Sequence, residues 1–141
     1  VEDAAEALPW IDLPELDVVQ VPFSAFDPHS AEALIQRASE RGVTVVARGV
    51  LGQGRATTAH HQSGETHGLG ADLAALAAAS GRSVQDLAIE FARAREGVGV
   101  VLVGVRLPSH LDDLLSGAAR GALPSDVMDA LQAVVAADRA G

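Results

Sequence analysis

DVVQVPFSAFDPHSAEALIQRASERGVTVVAR, residues 17–48, decides how this chain is built. Two valine-rich runs, DVVQV (17–21) and VTVVAR (43–48), flank a segment with helical spacing. Within that segment Ser30 is the expected N-cap, Ala33, Leu34 and Ala38 form an apolar stripe, and Gly42 follows the last turn. Strand, helix and strand in this order make a βαβ unit, for which a right-handed crossover is expected. Both runs are apolar on both faces, as parallel strands buried on both sides are.

The pattern continues toward the C-terminus. VGVVLVGV (98–105) reads as a third buried parallel strand. Between it and the second strand come a polar loop over 51–69, a helix at about 70–80, a break at Gly81 and a second helix opened by Ser83. Asp86 stands three residues after Ser83, the spacing of a capping box. Pro108 and Ser109 start a helix running to Ala119, and LPSDVMDALQAVVAADRA supplies a last one with Ser125 as its cap. VEDAAEALPW at the start reads as the end of a helix whose preceding strand is absent. Three parallel strands leave two edges of unpaired N–H and C=O groups, which further chain or a second copy must cover.

Composition narrows the chemistry. The chain has 141 residues, the size of one domain, and 48% of them are hydrophobic, enough for a sizeable core. All 10 basic residues are arginine, and tyrosine and cysteine are absent, so no disulfide, thiolate nucleophile, Schiff base or phenolic acid can be built. A formal charge of −9 argues against nucleic acid or an anionic membrane as partner, because neutralising phosphates takes clustered Lys and Arg. It leaves room for a small anion met by one or two local arginines. No run reaches the ~20 apolar residues of a membrane span, and the acidic start is unlike a signal peptide, so a cytoplasmic location is expected. With Val as its first residue, the chain is read as a fragment or a processed product.

VVARGVLGQGR, residues 45–55, is the candidate binding segment. An apolar strand end meets Arg48, and Gly49, Gly52 and Gly54 let main-chain N–H groups approach a ligand closely. The same letters also suit an ordinary αβ turn behind a solvated strand-end arginine. His60, His61 and His67 lie in AHHQSGETHGLG, where their spacing matches no strong ligand pattern, and are read as a solvated loop with no metal.

In order, DVVQVPFSAFD, ERGVTVVARGVLGQG, SVQDLAIEFARAREGVGVVLVGVRLPSHLDDLL and LPSDVMDAL resemble the C-terminal part of an aldo-keto reductase, over about residues 15–135. The resemblance implies an α/β fold: a partial (β/α)8 barrel with strands six to eight, their helices and a C-terminal helix, filling residues 1–141 as part of one barrel domain. It also implies NADP(H), with NAD as the other option, and a small carbonyl or alcohol substrate. By resemblance Gln20 pairs with the nicotinamide carboxamide, an amide meeting an amide; its other reading is a buried polar residue satisfied by a neighbour. Arg48 takes the place of an aromatic shelf for the nicotinamide, since a planar guanidinium also stacks. Gly49, Val50, Leu51 and Gly52 fall where the family wraps main-chain N–H groups around the pyrophosphate. Gly104 and Arg106 match a Gly-x-Arg segment, His110 stands where NADP-selective members carry arginine, and Asp113 stands in for a glutamate at the adenine. Leu114 replaces an asparagine there, which leaves the choice between NADP and NAD open.

The family's catalytic tetrad of Asp, Tyr, Lys and His belongs to earlier strands. Without tyrosine or lysine the chain cannot rebuild it, so no catalytic residue is assigned and the chain alone is expected to be inactive. Three readings follow: the cofactor-binding part of a reductase, a non-catalytic partial-barrel module that self-associates for binding or assembly, and another phosphate-binding (β/α)8 protein.

Overall fold

The computed structural model describes residues 3–57 and 68–138. The short helix α1 (Ala4–Ala7) and a 3-10 turn (Leu8–Trp10) lead into β1 (Val18–Pro22), α2 (Glu32–Arg41), β2 (Thr44–Arg48) and a second 3-10 turn (Gly52–Gly54). Then come α3 (Leu69–Ser80), α4 (Val84–Ala94), β3 (Val98–Val101), α5 (Pro108–Ala119) and α6 (Ser125–Ala137). The three strands form one parallel sheet in the order β1-β2-β3. Val19 lies opposite Val45 and Val21 opposite Ala47, while an irregularity between Val45 and Val46 brings Val46 opposite Val100.

One face of the sheet carries the first core. Val19, Val21, Val45 and Ala47 pack with Leu34, Ile35 and Ala38 of α2 and with Ala4, Ala7 and Ile11 near the start. A second core joins three helices through Leu69, Leu73 and Ala77 of α3, Leu87 and Ala88 of α4, and Leu131 and Val135 of α6. Phe91 of α4 belongs to both cores and stacks on Phe23 just past β1, with ring centroids 5.8 Å apart. This contact ties the helical layer to the sheet, because an offset aromatic pair adds roughly 0.5–1.5 kcal/mol to what burial supplies.

The other face is open, which corrects the expectation of strands buried on both sides. Val18 is 53% exposed, Val100 48% and Leu102 49%. The helices cover only one face, and the apolar residues that alternate with the core point away from it. β3 is also shorter than the expected 98–105. Leu102 N–H still donates to Ala47 O at 2.8 Å, but β2 ends at Arg48 and turns away, so nothing continues the ladder.

The helix ends follow local chemistry with two differences. Ser83 caps α4 as expected: its Oγ accepts from Asp86 N–H and Asp86 Oδ2 accepts from Ser83 N–H, both at 3.0 Å. Ser30 does not cap α2; Ala31 holds that position, while Ser30 N–H donates to Asp27 Oδ1 in the preceding turn. Ser125 is the first residue of α6, with Pro124 at the cap position, because proline cannot supply a helical N–H and sits naturally at this boundary. On the surface, Arg37 pairs with Asp12 at 2.7 Å and with Glu40 at 3.0 Å, tying α2 to the segment between the first 3-10 turn and β1. Glu40 and Asp12 hold the Arg37 guanidinium above its ordinary value, but solvent screening leaves such exposed pairs little weight in stability.

Candidate functional site

Parallel strands all end on the same side, so the segments leaving β2 and β3 emerge together at the carboxyl edge of the sheet. Arg48 is the last residue of β2, half-buried, and pairs in register with Pro22. Gln20 lies opposite Val46, two residues back on the neighbouring strand, and shares the open face with Arg48. Strand spacing and rise put their backbones about 8 Å apart. Gln20 is exposed, which differs from the buried position that its other reading expects.

Gly49–Thr57 folds back on itself. Gly52 N–H donates to Gly49 O, Gly54 and Ala56 N–H to Leu51 O, Arg55 N–H to Gly52 O and Thr57 N–H to Gly54 O. Val50 is buried and anchors the turn. Among the described residues, no backbone carbonyl accepts from the N–H groups of Gly49, Val50, Leu51 or Gln53. Four donors in one short turn suit an anion with several oxygens, and consecutive amides near left-handed residues form the concavities that hold phosphates. Gly49, Gly52, Gln53 and Gly54 all have positive φ, Gln53 at 58° being the one described non-glycine residue to do so.

Phe26, from the loop after β1, packs against this turn. A Cβ at Gly52 would overlap Phe26 Cδ2, so glycine is required there by the neighbour as well as by its φ of 57°. The Arg55 guanidinium lies over the other part of this arrangement, 4.4 Å from the centroid of the Phe26 ring. Sequence reasoning passed over Phe26 and Arg55. Arg55 closes the 45–55 stretch and Phe26 lies in the 17–27 block, but neither is given a role there, because the chain distance between them hides the contact.

The remaining candidates lie on the next connection. Gly104 and Arg106 follow β3, His110 is in the first turn of α5 and Asp113 in the second, and all four are exposed. No side chain caps the start of α5. Among the described residues, no hydrogen bond or ion pair joins this group to the 49–55 turn. His60, His61 and His67 lie outside the described residues; within those, no cluster of three metal-ligating side chains occurs. Surface grooves lined by Gln36, Ser39, Glu40, Arg95 and Glu96, and by Leu8, Pro9, Asp12, Ala33 and Arg37, contain none of the candidate residues.

The aldo/keto reductase family model matches residues 3–136. The chain belongs to that family. Two solved structures resemble it, the apo and holo forms of the aldo-keto reductase AKR11C1 from Bacillus halodurans, with TM-scores of 0.68 and 0.71 at 19% identity. The superpositions cover 95% of this chain, but only 48% and 47% of those proteins. The chain therefore spans about half the length of these solved members of the family, and the likeness shows an α/β fold similar to part of their barrels. No curated protein sequence matches it.

Proposed function

We propose that residues 1–141 form the C-terminal part of an NADP-dependent aldo-keto reductase barrel, strands six to eight with their helices, and supply its cofactor-binding portion. The observation that carries this reading is the set of N–H groups at Gly49, Val50, Leu51 and Gln53 that no backbone carbonyl of the described residues accepts from, in a chain matched to the family over 3–136. Gly49, Val50, Leu51 and Gly52 would hold the pyrophosphate. Gln20 would donate to and accept from the nicotinamide carboxamide, and Arg48 would offer its planar face to the ring. Gly104, Arg106, His110 and Asp113 would meet the adenosine end, where the uncapped start of α5 favours an anion. A bound dinucleotide would supply hydride to a small carbonyl when reduced, or accept it from an alcohol when oxidised. NAD in place of NADP is compatible with His110 and with Leu114.

Tyrosine and lysine are absent, so the general acid and the cation that tunes it cannot come from this chain. Fluorescence titration of the chain with NADPH should show saturable binding, and no turnover of a reactive aldehyde should accompany it. A lack of NADPH binding would overturn the cofactor reading, and turnover would overturn the inactive one. No described helix is long and apolar enough to cross a membrane, and a cytoplasmic protein without nucleic-acid or membrane partners accords with the −9 charge.

A second reading has its own observation. The open sheet face and the free edges of β1 and β3 would suit a non-catalytic module that covers them by self-association.

A further inference from the structure

We propose that Arg55 is the cation of the 49–55 turn, contacting a ligand phosphate there, and that Phe26 positions it. The proposal rests on the cofactor reading for the anion's identity, the pyrophosphate of a nicotinamide dinucleotide. The presence of an anion site is argued from the turn itself.

An anion approaching this protein meets a net charge of −9, so backbone dipoles alone work against a repulsive field. A local positive charge is needed, and five of the ten arginines are committed elsewhere. Arg37 and Arg41 face Asp12, Arg93 pairs with Glu90, Arg120 pairs with Asp86, and Arg82 donates to the Gly121 and Ala122 carbonyls just past α5. Arg55 differs from these. Although Asp and Glu outnumber Arg by 19 to 10, no carboxylate among the described residues pairs with it. It is exposed, and its N–H already closes the turn on Gly52 O, so its backbone is fixed to the loop whose other N–H groups meet no backbone carbonyl among the described residues.

Phe26 supplies what an exposed arginine lacks, a fixed direction. One ring edge meets Gly52 and the ring face carries the guanidinium. The guanidinium is held over the ring while its N–H groups remain available, because stacking uses the face of the cation and hydrogen bonding uses its edge. This restricts a long side chain before any ligand arrives, which lowers the entropy lost on binding. Gly52 thus has a second role: it admits the ring that orients the cation.

The test is calorimetric titration of the full chain with inorganic pyrophosphate and, separately, with NADPH, for the wild type, Arg55→Ala, Arg55→Lys and Phe26→Leu, with thermal melts of each. Arg55→Ala should weaken pyrophosphate about tenfold, the scale of a lost hydrogen bond to a charged group. Arg55→Lys should retain most of the affinity, and Phe26→Leu should lose about two- to fivefold. Added salt should weaken the wild type more than Arg55→Ala, a difference that a merely structural arginine would not produce. Equal pyrophosphate affinity and salt response in Arg55→Ala would overturn the proposal, as would a wild type that binds no pyrophosphate. Arg55-dependent pyrophosphate binding without NADPH binding supports the anion site and defeats the cofactor reading. NADPH binding indifferent to Arg55→Ala does the reverse. If Phe26→Leu fails to fold, the arginine variants alone decide.

Discussion

Gly49 and Gly52 have similar positive φ, 66° and 57°, yet their surroundings differ. Nothing lies within 4 Å of a Cβ built on Gly49, whereas one on Gly52 overlaps Phe26. Alanine at Gly49 should cost only the left-handed backbone, roughly 1–2 kcal/mol. At Gly52 the overpacking adds to it, for about 2–4 kcal/mol in all. Urea midpoints of the two variants measure this, and equal losses would show that Phe26 yields freely. Arg48 stands beside this turn as the proposed nicotinamide shelf. One stacked contact is worth roughly 0.5–2 kcal/mol, so Arg48→Ala should weaken NADPH by about two- to thirtyfold. Arg48→Tyr should recover much of the loss by supplying another flat face. Unchanged affinity in Arg48→Ala would remove the residue from the site.

Helix α4 shows how one side chain serves two elements. Asp86 closes the capping box with Ser83, and the same carboxylate receives Arg120 from the end of α5 at 2.5 Å. Its side chain is only 9% exposed, and Gly117 leaves space for it, since a Cβ there would overlap Asp86 Oδ1. Asp86 is thus the point where the otherwise exposed helix α5 is held against α4. Ser83→Ala should cost about 1 kcal/mol as a lost cap. Asp86→Ala should cost about 2 kcal/mol, because the cap and the charged hydrogen bond go together. A double-mutant cycle with Arg120→Ala should give a coupling of about 0.5–2 kcal/mol. Strict additivity would mean that the ion pair does not hold α5.

For the whole molecule the decisive feature is the bare face of the sheet. Val18, Val100 and Leu102 lie about half exposed on it, and the outer edges of β1 and β3 have no described strand partner. Apolar surface beside open edges is a template for pairing. Sedimentation of the isolated chain should show association that increases with concentration. A monodisperse monomer over a wide concentration range would count against a sheet left open in solution. The same bare face leaves the candidate site as an exposed rim.

The sequence by itself determined the three strands, their order with the helices, the Ser83 cap and membership of the family, because periodicity, caps and motif order are written over short stretches of chain. It also located Arg48 and the glycine turn, where an apolar run gives way to charge and glycine. Only the tertiary structure decided which strand face the helices cover, where β3 loses its partner, and that Phe26 lies under both Gly52 and Arg55. It alone joined Asp86 to Arg120. These depend on groups remote in the chain that meet by packing, and alternation along a strand names two faces without saying which one a distant helix will bury.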